Sequence, residues 1–213
     1  MRIAISQRVI ETAEYPETRD GLSQEWGAFI RMLRPDAILL PVPNDQFSIE
    51  QWLTDISPDA VILSGGNDIG NAPERDSTEK KIIEWFLDAE RPVLGVCRGL
   101  QILNSFYGGG VTRDIREETG EEHAGIHHEI RICDQTFSHA AKKDSLTVNS
   151  FHNQGVVENQ LAQRLIPFAK TISGVVEGLF SSSEKVLAIQ WHPERPSPST
   201  EFDQAIIRQF LFE

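Results

Sequence analysis

Cys97 is the residue with the clearest chemical potential, because of what surrounds it. The segment Pro92-Val93-Leu94-Gly95-Val96-Cys97-Arg98-Gly99-Leu100-Gln101 is an apolar run ending at a cysteine between two glycines, followed by a helix-compatible stretch over 99–106. That pattern reads as a buried strand turning sharply into a helix, with the thiol on the turn. Such a turn strains its central residue and requires close neighbours without a bulky Cβ, which Gly95 and Gly99 supply. A helix N-terminus beside the sulfur favours thiolate. Most free cysteines are only small buried hydrophobes, so the turn alone leaves both readings of Cys97 open.

Two further segments favour covalent chemistry. In Ala188-Ile189-Gln190-Trp191-His192-Pro193-Glu194, a strand-like run over 185–190 ends at a histidine, with a carboxylate two residues on. Pro193 fixes the backbone between them, so both side chains can lie on one side of a rigid turn. A thiol nucleophile needs a base, and the base needs an acceptor that fixes its tautomer. Cys97, His192 and Glu194 supply these three parts. The second segment, Val61-Ile62-Leu63-Ser64-Gly65-Gly66-Asn67-Asp68, is another apolar strand, ending in a glycine pair. Glycines there let backbone N–H groups approach a developing oxyanion; taken alone they are an ordinary turn.

The elements that must position these residues alternate along the chain. Strands are expected at 2–5, 37–41 and 60–64, and in the apolar run that ends at Cys97. Helices are expected at 22–33, at 48–55 capped by Ser48, and at 77–89 capped by Asp76. This implies an α/β, doubly wound, mostly parallel sheet with ligands at the carboxyl ends of its strands. Residues 107–180 are less regular, with Gly108-Gly109-Gly110 and short strand candidates near 129–133 and 145–149. They suggest a small additional antiparallel region. No repeat, low-complexity tract or linker interrupts the 213 residues, which read as one domain, 1–213.

Composition narrows the function classes. A net charge of −12 argues against nucleic-acid or anionic-membrane partners. No apolar run approaches bilayer length. Two cysteines, Cys97 and Cys133, without a signal peptide suggest a reducing cytoplasm. No Cys/His cluster has metal-ligand spacing, so neither metal nor cofactor is expected; His123, His127 and His128 read as a solvated loop.

The motifs S-G-G-N, G-V-C-R-G-L-Q and Q-W-H-P-E, in this order over residues 61–194, resemble the class I glutamine amidotransferase superfamily. The resemblance implies a flavodoxin-like fold and cleavage of a γ-glutamyl amide bond through a Cys-His-Glu triad. It assigns Cys97 as nucleophile, His192 as base and acid, and Glu194 as the orienting carboxylate. The backbone N–H groups of Gly66 and Arg98 would form the oxyanion hole. Gln101 would help hold the glutamyl moiety, and the segment carrying Ser150, Phe151, His152 and Gln154 would contact its α-amino and α-carboxylate groups. For His152 a surface-loop role stands beside that one.

The elbow C-R-G-L-Q, the segment N-S-F-H-N-Q-G and Pro73-Glu74-Arg75-Asp76 are similar to the free-standing γ-glutamyl hydrolase branch. Proteins that supply ammonia to a synthetase usually carry C-L-G-x-Q or C-Y-G-x-Q instead. The branch implies a small-molecule γ-glutamyl substrate and a monomer or homodimer. Two departures bear on the substrate. Only residues 67–74 separate the Gly-Gly turn from the Arg-Asp pair, where a longer insertion is usual. The pattern Ile5-Ser6-Gln7-Arg8, then Arg19-Asp20 and Glu25-Trp26-Gly27, is similar to the γ-glutamyl-CDP-amidate hydrolases rather than the γ-glutamyl-γ-aminobutyrate hydrolases.

A glutaminase serving a partner synthetase and a non-catalytic binding domain are the rival classes. The related thiol-containing redox or chaperone proteins would place histidine after the cysteine, where this chain has Arg98. Three arginines could face the leaving group. Arg8 follows the first strand and should share the sheet edge of Cys97, while Arg19 and Arg75 could reach it. Each could instead pair with a local acid such as Glu11, Glu17 or Asp76.

Overall fold

Strand β1 (Arg2–Ser6) is buried at every residue after Arg2, the pattern of a strand covered on both faces. Ile3 and Ile5 point into one apolar cluster and Ala4 into the other, as the two-residue period requires. The computed structural model describes residues 1–13 and 15–213. A two-stranded antiparallel hairpin, β2 (Arg8–Glu11) and β3 (Thr18–Gly21), stands apart from the main sheet. Helix α1 (Glu25–Leu33) follows, burying Trp26, Phe29, Ile30 and Leu33 on one stripe. The chain then runs through β4 (Ile38–Val42), α2 (Ile49–Ile56), β5 (Ala60–Leu63), α3 (Pro73–Asp88), β6 (Val93–Val96) and α4 (Arg98–Phe106). After them come α5 (Ile115–Thr119), β7 (Ala124–Ile132), α6 (Gln135–Ala141), β8 (Ser145–Phe151) and β9 (Val156–Val157). The last elements are β10 (Ile166–Lys170), β11 (Val175–Phe180), β12 (Val186–Ile189) and α7 (Thr200–Phe212).

The main sheet has ten strands in the order β4-β1-β5-β6-β12-β11-β10-β7-β8, with β9 paired to β11. Its first five strands are parallel. The others add antiparallel, beginning with β11 against β12. This is the mixed, mostly parallel α/β architecture expected, except that the antiparallel part is larger than 107–180 suggested. Its strands are short or polar on one face, so they carry a weaker apolar signal than β1, β5 or β6. Among the described residues, no helix is long and apolar enough to cross a membrane.

Local expectations need four corrections. Helix α1 starts at Glu25 rather than 22, and Leu22 and Ser23 ahead of it line a cavity. Ser48 occupies the position before α2, but its hydroxyl donates to Asp45 Oδ2 at 2.6 Å and caps no helical N–H. Helix α3 starts at Pro73, whose ring presets the first helical φ, so Asp76 lies inside the first turn. The Asp76 carboxylate accepts from Gly70 N at 2.8 Å and pairs with Arg98 instead of capping. Finally, His127 and His128 lie on β7, and His123 is buried directly before it; no solvated loop holds them.

Candidate active site

Cys97 stands between β6 and α4 with φ 56° and ψ −107°, a backbone state that non-glycine residues rarely adopt. The turn is enforced by its neighbours. A Cβ on Gly99 would lie 2.1 Å from the Leu63 carbonyl oxygen, and one on Gly95 would lie 2.6 Å from that of Gly99. Only glycine permits this approach of helix to strand. The Cys97 amide donates to Ile189 O at 2.8 Å, which ties the elbow to the end of β12.

His192 lies just beyond that end. Asn149 on β8 grips its backbone twice: His192 N donates to Asn149 Oδ1 and Asn149 Nδ2 donates to His192 O, each at 2.9 Å. The ring's Nδ1 lies 2.8 Å from Glu194 Oε1, so the carboxylate fixes Nδ1 as the protonated nitrogen and leaves Nε2 toward Cys97. A Cβ on Gly65 would sit 2.9 Å from His192 Cε1 and 3.4 Å from Cys97 Cβ, so Gly65 leaves the thiol and imidazole room to meet. Burial disfavours the charged ring. The charge and contact of the Cys97 sulfur, then the Glu194 carboxylate, outweigh it and push the His192 pKa up to about 9. Beneath this turn, Trp191 Nε1 and Ser199 Oγ each donate to Asp203 at 2.8 Å. Burial pushes that carboxyl up to about 7 against those hydrogen bonds, with the Glu194 charge adding to the rise.

The glycine pair after β5 is held from below by Arg75. Its Nη1 donates to the Gly65 and Gly66 carbonyls at 3.2 and 2.6 Å, and Nη2 donates to that of Ser64 at 2.7 Å. With the carbonyls turned inward, Gly66 takes φ +87°. Its N–H and that of Arg98 have no hydrogen-bond partner among the described residues. The Arg98 side chain points away from this opening, into a buried pairing with Asp76 and Glu79.

A cavity of about 270 Å³ opens over Cys97, His192 and Glu194, walled by Gly65, Gly66, Arg8, Trp26, Phe151 and Arg195 among others. Of the three arginines that sequence brings into question, only Arg8 reaches it. Its side chain lies over Gly66 and makes no ion pair among the described residues. Arg19 pairs with Glu17 at 2.7 Å in solvent, and Arg75 is wholly buried in the network above. Arg195 carries no signal of its own in the sequence, although it directly follows the His-Pro-Glu motif. Its guanidinium lies over the Phe151 ring at 4.6 Å and 3.7 Å from Glu194 Oε1. A larger cavity of about 410 Å³, lined by Phe137, Phe180, Ile206 and Phe210, shares no residue with this one and contains no cysteine or histidine.

Of the expected glutamyl-contacting residues, Phe151 lines the cavity, its ring edge-on to His192 with centroids 5.8 Å apart. Gln101, Ser150, His152 and Gln154 do not line it; side-chain groups of Gln101, Ser150 and His152 are hydrogen-bonded inside the protein, and Gln154 Oε1 is buried without a partner. Gln101 Nε2 donates to Gln154 O at 2.8 Å, and Ser150 Oγ donates to His123 O at 2.6 Å. His152 is buried beside His123 and Glu177, neither a surface-loop residue nor a lining one.

That last group brings together donor atoms that no metal-ligand spacing in the sequence relates. His123, His152 and Glu177 are each buried and bring one donor atom apiece within 4.8 Å of the others. The spacing is invisible in sequence because the three lie just before β7, just after β8 and in the middle of β11. Burial would raise the Glu177 carboxyl; contacts with His123, His128 and His152 outweigh it and hold the pKa well below the usual range.

Comparison with known proteins places this arrangement in context. The Peptidase C26 family model matches residues 3–194. YvdE of Lactococcus lactis, named as a glutamine amidotransferase-like protein, is 33% identical over 196 residues, covering 81% of this chain and 80% of its own. The γ-glutamyl-CDP-amidate hydrolase of Campylobacter jejuni is 31% identical over 203 residues, covering 92% and 90% respectively. In fold, the chain superposes on the crystal structure of a glutamine amidotransferase from Thermotoga maritima. The TM-score is 0.67 at 18% identity, over 97% of this chain and 80% of that one. A protein from Thermoplasma acidophilum, described as belonging to a GMP synthase, superposes with a TM-score of 0.72 at 20% identity, over 99% and 92% respectively.

Proposed function

The chain belongs to the Peptidase C26 family of glutamine amidotransferase-like proteins, and we propose that it is a free-standing γ-glutamyl amide hydrolase with Cys97 as nucleophile. The observation that carries this reading is the strained thiol of Cys97 facing a histidine whose far nitrogen is held by Glu194 at 2.8 Å. The thiolate attacks the γ-carbonyl carbon, and the oxyanion is met by the N–H groups of Gly66 and Arg98. The tetrahedral species collapses by breaking the C–N bond, and the amine leaves with a proton from His192. Water then attacks the glutamyl thioester while His192 Nε2 takes its proton. The C–S bond breaks, releasing glutamate and restoring the thiolate–imidazolium pair. Glu194 keeps the imidazole in the tautomer both halves require.

The leaving group is an anionic amine. Two cations, Arg8 and Arg195, line the cavity that holds the triad, and a guanidinium matches phosphate or carboxylate oxygens in pairs. One can take the glutamyl α-carboxylate, which leaves the other for the far end of the substrate. The specific reading is γ-glutamyl-CDP-amidate, supported by the likeness to the Campylobacter enzyme over most of both chains. Glutamate release by the purified chain from γ-glutamyl-CDP-amidate, γ-glutamyl-γ-aminobutyrate and glutamine ranks the alternatives. Cys97→Ser should lose nearly all turnover on the preferred one, because a hydroxyl replaces the thiolate. Full turnover by that variant would end the proposal. Fast glutamine hydrolysis by the wild type would make it an ammonia-supplying glutaminase instead.

A further inference from the structure

We propose that His123, His152 and Glu177 form a binding site for a divalent transition metal of the zinc class, separate from the catalytic triad. The donor atoms His123 Nδ1, His152 Nε2 and Glu177 Oε1 form a nearly equilateral triangle with edges of 3.2, 3.4 and 3.5 Å. A tetrahedral zinc with bonds of about 2.0–2.1 Å to nitrogen and oxygen requires donor–donor edges of about 3.3–3.4 Å. The triangle is thus already the right size for one face of such a site, and two histidines with one glutamate are a zinc ligand set.

The protonation states suit a metal better than a hydrogen-bonded cluster. His152 Nδ1 lies 2.8 Å from the Gln154 carbonyl oxygen, which can only accept, so the proton of a neutral ring is on Nδ1. The Nε2 lone pair then points at the triangle. This is the outer-shell carbonyl contact that metal-bound histidines usually make. His123 Nε2 lies 3.6 Å from Glu121 Oε2, beyond hydrogen-bond distance. A single shared proton could satisfy only one edge of the triangle, whereas a cation satisfies three lone pairs together. Of the three donor atoms, Glu177 Oε1 is buried without a hydrogen-bond partner, which a cation shared across the triangle explains. His128 Nε2 stands 3.6 Å from the second Glu177 oxygen and can hold it in place.

A metal here would join three segments beside the active site. His123 O accepts from Ser150 Oγ and from His152 N, and Glu177 O accepts from Gln190 N at 2.7 Å, two residues before His192. The site is buried, so a metal there would act on stability rather than on the substrate, with a water filling the fourth position.

The test uses the full chain, stripped with a chelator, loaded with Zn²⁺ alone and passed through gel filtration; Co²⁺ serves as the spectroscopic probe. The expected result is one retained ion per chain, a raised Tm, and cobalt absorption typical of tetrahedral nitrogen and oxygen ligands. Glu177→Gln should reduce affinity by more than the roughly 10–100-fold typical of losing an outer-shell partner. Cys97→Ser should retain the ion unchanged. His123→Gln is the deciding variant should Glu177→Gln fail to fold. No retained ion, an ion unaffected by both cluster variants, or an ion lost in Cys97→Ser would overturn the proposal.

Discussion

Arg75 and Arg98 meet on the single carboxylate of Glu79, one guanidinium on each oxygen. Arg75 holds the carbonyls of the 64–66 loop and Arg98 opens α4, so this buried carboxylate couples both sources of free N–H groups over Cys97. Burial would raise the Glu79 pKa, but the two guanidiniums outweigh it and hold it below the ordinary carboxylate range.

Glu79→Gln leaves those two cations without their shared charge. The expected loss is about 3–5 kcal/mol of stability, the range for breaking a buried pair, measured by urea unfolding at neutral pH. Because the folded pKa is depressed, the wild-type contribution is present above the unfolded carboxylate pKa. It disappears as pH falls through the folded value. Acid unfolding of the variant should therefore start from lower stability and be less steep. An unchanged urea midpoint would show that the pairing contributes nothing.

The two partners of Cys97 differ in role and should differ in cost. His192→Ala removes both base and acid and should lower kcat by about 10²–10⁴-fold or more. Glu194→Gln keeps the shape and loses only the charge behind the ring, so its loss should be smaller. A larger loss for Glu194→Gln, with folding intact by circular dichroism, would reverse the assignment.

The His192 pKa of about 9 makes a separate prediction. Since the value is raised, the favourable charged ring is fully present below its unfolded pKa and is lost as pH rises through about 9. The alkaline limb of kcat/KM should lie near that pH, and an NMR titration of the Cys97→Ser protein should show His192 titrating lower. An imidazole that titrates identically in both proteins would rule out a thiolate partner.

Arg8→Ala should lower kcat/KM for a phosphate-bearing γ-glutamyl amide by about 1–3 kcal/mol, the range for a lost charge-assisted hydrogen bond. Residual glutamine hydrolysis should hardly change, since glutamine loses only ammonia. Equal losses on both substrates would make Arg8 structural.

Gly99→Ala is a test of the elbow. Its Cβ would fall 2.1 Å from the Leu63 carbonyl, a backbone atom that cannot rotate away. The expected cost is at least about 1–3 kcal/mol from overpacking, with displacement of Cys97. A fully active variant of wild-type Tm would mean that strand and helix can separate there.

What is legible in the sequence is carried by neighbours along the chain. The elbow is visible because Gly95, Cys97 and Gly99 are two residues apart, and the His192–Glu194 pair because Pro193 separates them. The parallel strands announce themselves as unbroken apolar runs. What stays hidden depends on distance across the fold. Arg75 reads as a surface residue available to substrate, yet α3 turns it inward beneath residues recruited from the previous loop. Gln101 and Ser150 are expected at the substrate, but their partners Gln154 and His123 become neighbours only once the antiparallel strands are laid down. The histidine–glutamate cluster is the extreme case, since its members come from three segments far apart in the chain and no local spacing relates them.

The register Val96 to Ile189 aligns the ends of β6 and β12; Cys97 directly follows the first and His192 lies three residues beyond the second. Nucleophile and base are thus indexed by a ladder of backbone hydrogen bonds, which does not depend on which side chains line the cavity. Arg8 on its separate hairpin, Phe151 and Arg195 can therefore change with little disturbance to that spacing. Reaction type and substrate choice become separately adjustable, and one catalytic frame can be refitted for different amines by rewriting its rim.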